Sequence, residues 1–447
     1  MTIEIKIPDN IKNILRRLEN NNFEAYIAGG CVRDSILGVT PSDYDITTNA
    51  LPDEMKACFS GLEVIETGIK HGTLTVIADG EPVEVTTFRI DGEYSDNRRP
   101  DKVEFTSSLK DDLARRDFTV NAMAYSEKSG LVDIFGGRDD LERKIIRCVG
   151  TPAERFGEDA LRILRALRFS STLGFEIEEE TSLAIRECRE LLKNVSCERI
   201  FTETEKLILG KGCTEVLTAY GDVLGVVIPE ILPCIDFEQH TPYHRYGVWE
   251  HTCVALGNSS HSRIVRLALL FHDIEKPSCL KIDSNGVGHF HGHGEKSAKT
   301  AENILRRLKC DTKTINIVSL LIEKHYGKPW IKNGRIDRTA VKFAMSEIGA
   351  ENFLTLTDIQ YADDTAKSDE AKKRLPLHEK TAETAREILA CGECYSVPQL
   401  EINGRDVEST GLHGRAVGDK LREVLDLVIE EKLPNKREKL LDYLTNR

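Results

Sequence analysis

No apolar stretch approaches the ~20 residues that a membrane-spanning helix needs. The first residues, Met1-Thr2-Ile3-Glu4-Ile5-Lys6, lack the charged-then-apolar pattern of a signal peptide. Both absences point to a cytoplasmic protein. A basic excess is missing as well, since 61 Lys and Arg against 74 Asp and Glu give a net charge of −13. That argues against broad, non-specific coating of nucleic acid. A focused nucleic-acid site stays open, because Arg98-Arg99, Arg115-Arg116 and the series Arg162, Arg165, Arg168 are local basic clusters. The twelve cysteines are scattered, and the one close pair, Cys391-Gly392-Glu393-Cys394, has no second pair at zinc spacing. Reduced thiols are expected. Internal repeats and low-complexity tracts are also lacking.

What is present describes a globular protein of 447 residues, 40% hydrophobic and 30% charged. That length is too great for one core and predicts two to four domains. Residues 8–20 read as an amphipathic helix with Ile11, Ile14, Leu15 and Leu18 on one face. An apolar run over 23–28 ends at a diglycine, and a helical pattern resumes over 32–37. Residues 72–77 and 82–88 are β-branched and extended. After about residue 145 strand signals nearly vanish, and helical periodicity is broken only by Gly and Pro near 229–233, 286–294 and 376. The expectation is an α+β fold, with an N-terminal α/β head on a mixed sheet followed by an elongated all-α neck, body and tail.

The most informative residues are Asp43 and Asp45, about a dozen positions after Gly29-Gly30-Cys31-Val32-Arg33-Asp34. In an extended strand, residues i and i+2 share a face, so the two carboxylates converge. Paired hard oxygen ligands suit Mg²⁺ carrying a nucleoside triphosphate. Glycines upstream let a backbone approach phosphates. Solvated loop acids are the competing reading. Glu84, flanked by Val83 and Val85, is either a third carboxylate sharing that metal or an edge-strand glutamate facing water.

Residues 112–124 pack charged and amide groups beside Phe118 and Val120. Arg116 can hold phosphate and Asn121 a ribose or the backbone, unless the stretch is a structural ion-pair knot. Residues 158–168 space Asp159, Arg162 and Arg165 by three, with Arg168 continuing the row beside Leu161, Leu164 and Leu167. Cytosine and adenine both present an exocyclic amine beside a ring-nitrogen acceptor. Asp159 can accept from the amine while Arg162 donates to the ring nitrogen, and guanine or uracil would leave both unpaired. Arg165 and Arg168 lie further along, within reach of a triphosphate.

Taken together, these motifs resemble the bacterial tRNA nucleotidyltransferases, or CCA-adding enzymes, of the polymerase-β-like superfamily. The resemblance covers nearly the whole chain. It rests on residues 29–34, on Asp43-Tyr44-Asp45, on residues 115–122 and 158–162, and on Glu198-Arg199-Ile200. It implies a catalytic head over 1–145, a neck with the base template over 146–225, an HD-type domain over 226–370 and a tRNA-binding tail over 371–447. By the same resemblance Gly29, Gly30, Arg33, Arg116, Asn121, Asp159, Arg162, Arg165 and Arg168 bind the nucleotide. Asp43 and Asp45 hold Mg²⁺, with Glu84 in support. The implied partners are tRNA, CTP and ATP. Residues 89–103 look like the family's flexible segment, tied to the switch from C to A addition. A bacterial poly(A) polymerase shares the head motifs and is the nearest rival.

Nine of the twelve histidines fall between 240 and 325. His251, followed by His272-Asp273 at the end of an apolar helix, resembles the HD phosphohydrolases. That likeness implies a divalent metal on His251, His272, Asp273 and Asp363, with Asp358 an alternative to Asp363. His289, His291, His293 and His325 can complete a second site. The chain being chiefly such a hydrolase, with a head that only binds nucleotide, is the second rival.

Overall fold

The computed structural model describes residues 4–91 and 103–445. Most of the segment matched to the flexible loop, with its Arg98-Arg99 pair, lies outside the described residues. Two compact units emerge, one formed by residues 1–212 with 222–229, the other by 213–221 with 230–447.

The first unit is built on a seven-stranded mixed sheet. Its strands are β1 (Ala25–Ala28), β2 (Ile46–Thr48), β3 (Glu63–Ile65), β4 (Thr73–Ala78), β5 (Glu81–Thr87), β8 (Met123–Ser126) and β9 (Gly130–Asp133), in the order β3-β4-β5-β2-β1-β8-β9. A separate two-stranded ribbon joins β6 (Arg89–Asp91) to β7 (Val103–Phe105). β2 and β5 run parallel; the other pairs of the large sheet are antiparallel. The expected amphipathic helix is α1 (Asp9–Asn20), which buries the four predicted residues. Then follow α2 (Gly30–Ile36), α3 (Pro52–Cys58), α4 (Leu109–Ala114) and α5 (Gly137–Arg143). Beyond residue 145 the unit is nearly all helix, with α6 (Pro152–Glu158), α7 (Leu161–Leu173), α8 (Glu179–Cys188) and α9 (Cys197–Ile208). Only the short parallel pair β10 (Ile145–Ile146) and β11 (Glu176–Ile177) interrupts them. α10 (Cys213–Leu224) is kinked at Tyr220 and contributes to both units.

The second unit is helical. Its main elements are α11 (Val248–Gly257), α12 (Arg263–Phe271), α13 (Lys276–Cys279), α14 (His293–Arg307), α15 (Thr312–Lys324), α16 (Arg338–Ile348) and α17 (Ala350–Thr365). They continue with α18 (Asp369–Lys372), α19 (Leu375–Ala390), α20 (Gly404–Glu408), α21 (Arg415–Ile429) and α22 (Arg437–Thr445). α12 is buried almost throughout, as an apolar run of that length requires. The last three helices share an apolar cluster that includes Val407, Val424, Ile429 and Leu440.

Two sequence expectations need correction. Asp43 and Asp45 precede β2 and lie in the irregular segment leading into it, not within a strand. Asp159 is not on a helix face: it takes an extended conformation between α6 and α7, so the row of three begins one step before the helix.

Gly137 shows how tightly the first unit is packed. A Cβ there would lie 2.2 Å from the Thr119 carbonyl oxygen, in the 3₁₀ turn Thr119–Asn121. The nearest atoms are backbone, with the Thr119 carbonyl carbon at 2.9 Å, so a Cβ cannot be accommodated by a side-chain shift alone. Gly137→Ala is expected to cost roughly 1–3 kcal/mol. Urea denaturation reads this directly, and an unchanged midpoint would refute the close approach.

Candidate functional site

The diglycine turn is fixed from both sides. Gly29 N–H donates to Met123 O at 3.0 Å, and Ala28 N–H donates to Asp45 O at 2.9 Å, so the turn and the acid pair are held together. Gly29 has φ +84°, and a Cβ on it would lie 2.6 Å from Arg116 Nη1. No other residue suits both the backbone and the contact. α2 then starts at Gly30. The parallel register pairs Ile46 with Val85, which brings Asp45 beside Glu84. Glu84 is exposed, yet on an interior strand between β4 and β2, so it is neither edge-strand nor buried.

Asp43 and Asp45 open onto a cavity of about 440 Å³ that is also lined by Gly29, Gly30, Arg33, Arg116, Asn121, Asp159, Arg162, Arg165 and Arg168. Every nucleotide-binding residue expected from the sequence is therefore gathered in one place. Glu84 stands outside the lining, beside Asp45. Asp45 has surface open to water but is crowded by protein. That desolvation raises its pKa, as do the Asp43 and Glu84 charges, while Arg116 opposes them. Two acids with hard oxygen donors opening onto one cavity fit a divalent cation.

Charged side chains around the cavity form a connected chain. Arg33 grips Asp34 through two hydrogen bonds and donates from Nη1 to Asn121 Oδ1 at 2.7 Å. Asn121 Nδ2 donates to Asp117 Oδ1, and Arg165 Nε donates to Asp117 Oδ2 at 2.7 Å. Arg115 and Arg116 flank the fully buried Asp112, which also accepts from Thr47 Oγ1. Phe169 gives its face to the guanidiniums of Arg33, Arg165 and Arg168, the last 3.8 Å from the ring centroid. Arg168 also pairs with the buried Glu203.

The expected base-reading pair is held rigidly. Asp159 Oδ1 accepts from Leu161 N–H at 3.1 Å, and its Oδ2 accepts from Arg199 Nη2 at 2.7 Å. Arg162 donates to Glu158, to Arg155 O and to Arg115 O. The sequence reading named Arg199 only within a motif and gave Asp117, Phe169 and Glu203 no role. Their partners lie 35 to 48 positions away for Asp117, Glu203 and Arg199, a distance no local spacing reveals.

In the second unit, α11 supplies His251, the end of α12 supplies His272 and Asp273, and α17 supplies Asp363. All four are buried, with ligand atoms within 4.8 Å of one another. Asp358 lines a different cavity, so Asp363 is the residue that joins this group. Asp273, His293 and His325 form a second such group. Asp273 is common to both: its Oδ2 lies 3.1 Å from His272 Nε2, and its Oδ1 lies 3.4 Å from His293 Nε2. His289 and His291 line the same cavity of about 440 Å³, but His289 pairs with Asp283 and neither joins the group.

Four backbone carbonyls set the histidine tautomers. Nδ1 of His251, His272, His293 and His325 faces Ala366 O, Leu269 O, Phe290 O and Ile322 O, at 3.3, 2.7, 2.7 and 2.6 Å. With Nδ1 protonated, each Nε2 lone pair points inward. His293 and His325 then set two acceptors 3.2 Å apart, and His272 Nε2 and both Asp273 oxygens are buried without hydrogen-bond geometry to any partner. Such an arrangement asks for a cation. Burial lowers the His272 pKa, yet Asp273 and Asp363 beside it raise it to about 9, a proton filling part of that need. Mixed imidazole and carboxylate donors suit a transition-type divalent ion better than Mg²⁺. Sequence reasoning missed Lys276, which lies 2.7 Å from Asp273 Oδ2, and His244, whose pKa burial and the Lys276 charge lower to about 2.

Asp117 carries a stability prediction. Burial opposes its ionisation, but Arg165 and Asn121 outweigh that and hold its pKa at about 2. A depressed acid stabilises the fold above its unfolded value of about 3.9, and the contribution is lost as pH falls through about 2. Asp117→Asn should cost roughly 2–3 kcal/mol at neutral pH and flatten the stability profile between about pH 4 and 2. Chemical denaturation across that range is the measurement; equal stability of the two proteins at pH 7 would contradict the assigned ion pair.

Comparison with known proteins agrees with this geometry. Residues 25–147 match the family described as poly A polymerase head domain, and residues 174–220 match the probable RNA and SrmB-binding site of polymerase A. A CCA-adding enzyme of Limosilactobacillus fermentum is 50% identical over 209 residues, which is 47% of this chain and 52% of that protein. One from Geobacillus kaustophilus is 47% identical over 209 residues, 47% of this chain and 51% of that protein. The chain thus spans about half the length of the curated relatives it matches. A crystal structure of the Bacillus stearothermophilus CCA-adding enzyme in complex with CTP superposes with a TM-score of 0.75 at 28% identity, covering 99% of this chain and 98% of that one. A Thermotoga maritima CCA-adding enzyme complexed with tRNA shares the fold, with a TM-score of 0.59 at 18% identity over 99% of each chain. Among the described residues no helix is long and apolar enough to cross a membrane. By its head the chain is similar to the CCA-adding enzymes, and from end to end it shares the fold of one of them.

Proposed function

We propose that this chain adds or repairs the 3′-terminal CCA of tRNA, using CTP and ATP and no nucleic-acid template. The observation that carries the reading is the single cavity shared by Asp43, Asp45, the Asp159–Arg162 pair and six further guanidiniums. Head 1–145 and neck 146–225 together supply it, and the tail 371–447 is read as the tRNA-binding part.

Asp43 and Asp45 would hold Mg²⁺. When bound, that ion lowers the pKa of the attacking 3′-hydroxyl and neutralises charge on the leaving pyrophosphate. Arg33, Arg165 and Arg168 are pre-oriented by Asp34, Asp117, Glu203 and Phe169, so triphosphate binding needs little reorganisation. Asn121 is fixed between Arg33 and Asp117, facing the cavity where the sugar would lie. Asp159 accepts from the exocyclic amine of cytosine or adenine, and Arg162 donates to the ring nitrogen. The rigidity of both is what makes the wrong base costly.

Incubation with tRNA lacking its 3′ end, one labelled nucleotide at a time, should give two C and then one A. A long A tail would identify a poly(A) polymerase instead, and no incorporation would end the proposal. Asp43→Ala should remain folded and lose at least ~100-fold in rate. Asp159→Ala should narrow the preference for CTP over UTP roughly 10- to 100-fold.

A second activity is supported by the inward-facing His251, His272, His293 and His325 with Asp273 and Asp363. This HD-type domain, 226–370, is read as a metal-dependent phosphohydrolase acting on phosphomonoesters or 2′,3′-cyclic phosphates, such as damaged tRNA ends. Purified wild-type protein is expected to retain divalent metal by elemental analysis and to release phosphate from such substrates. His272→Ala should lose both, and a variant that keeps its metal and its turnover would leave the site structural.

A further inference from the structure

The cavity holding the metal-type residues has a second charged feature that the ligand groups do not explain. Lys328, Lys367 and Arg374 all line it. All three converge on Asp364, which is fully buried and faces away from the ligand set. Lys328 Nζ donates to Asp364 Oδ2 at 2.9 Å, Lys367 Nζ to Asp364 Oδ1 at 3.0 Å, and Arg374 Nη2 to the same oxygen at 3.2 Å. His378 Nε2 lies 2.8 Å from Asp364 Oδ2 and pins the carboxylate from behind. Lys367 also reaches Asp363 Oδ2 at 2.6 Å, which ties this rim to the metal-type cluster.

A purely structural ion-pair knot would be close to neutral. Here three cations surround Asp364, and the one other carboxylate they touch, Asp363, also faces His251 and His272. Counting both acids, three positive charges oppose two negative ones, and a metal on Asp363 would widen the surplus. Arg374 Nε is buried without a hydrogen-bond partner, so the rim also has a donor to spare. Surplus positive charge and convergent N–H donors at a cavity wall are what an anion with several acceptor oxygens requires.

We propose that Lys328, Lys367 and Arg374 form a binding site for a phosphate group beside the metal-type cluster, and that Asp364 is the positioning residue that aims them. This deepens the phosphohydrolase reading by assigning the anion end of its substrate to named residues. Asp364 touches no substrate. It holds three long, flexible side chains in one geometry, which removes the ordering cost that each would otherwise meet on binding.

The test uses the full chain, freed of metal by chelator, with inorganic phosphate as the probe and calorimetry or ³¹P NMR as the readout. Lys328→Gln and Arg374→Gln should each weaken phosphate binding by roughly tenfold. Asp364→Asn separates positioning from simple charge. It makes the rim more positive, so a pure field effect would tighten binding, whereas loss of aim should weaken it by a similar factor. Tightened or unchanged binding by a folded Asp364→Asn protein overturns the positioning role. Should that variant fail to fold, unchanged affinity in Lys328→Gln and Arg374→Gln overturns the site itself. Metal-dependent hydrolysis is assayed separately. Phosphate binding without hydrolysis would sink the phosphohydrolase reading and leave the anion site standing; hydrolysis without phosphate binding would do the reverse.

Discussion

One buried carboxylate governs the arrangement of the first unit. Asp117 accepts from Asn121 and Arg165 and from the N–H of Phe118, and Asn121 in turn orients Arg33. An ionised acid in that setting is tolerable only because strong donors surround it, and burial makes each of those bonds stronger. The network joins α2, the 3₁₀ turn at Thr119–Asn121 and α7, three elements far apart in sequence. Remove the charge and Arg165 loses its carboxylate partner, while Asn121, which holds Arg33 Nη1, loses its own acceptor. Packing supplies the frame: Phe118 meets the edge of Phe169 at 5.8 Å, which seats the aromatic face on which Arg168 lies.

The second unit solves a different electrostatic problem by the same means. Four histidines have one nitrogen committed to a backbone carbonyl of the preceding turn or a nearby helix end, so the other is left as an acceptor in a dry interior. Helix ends make this possible, because their last carbonyls are without helical partners. His272 follows α12 and His325 follows α15, and each takes a carbonyl three residues back. The metal-type cluster is therefore a by-product of where helices stop, with Asp273 and Asp363 added at adjoining ends.

How much of this was legible in the sequence depends on the range of the interaction. The acid pair, the diglycine turn and the His-Asp step are local patterns, and the structure gathers the expected residues as read. What failed was local conformation. Asp43, Asp45 and Asp159 all lie in connections between elements, outside the strand and the helix that their spacing suggested. Partners across tens of positions were not readable at all. Arg199 enters only as part of the Glu198-Arg199-Ile200 motif, and no motif in the sequence includes Lys328 or Arg374. Lys367 gave the one usable signal, since it stands four residues after Asp363 and three after Asp364 in Asp363-Asp364-Thr365-Ala366-Lys367.

The two cavities have the same volume and opposite deficits. In the first, arginines outnumber the acids that hold them, and buried donors such as Arg116 Nε and Arg199 Nη1 have no hydrogen-bond partner. Because a guanidinium has five N–H groups and a carboxylate uses two, an arginine can be fixed by an acid and still present donors to a ligand. Preorganisation and binding capacity therefore do not compete. In the second cavity the acceptors outnumber the donors at the centre, and the rim reverses the sign with lysines and an arginine. A cation at the centre and an anion at the edge satisfy both at once. On the reading proposed above, the fold would set out the charge pattern of a metal-bound phosphate, with Lys276 and Lys367 facing the central acids.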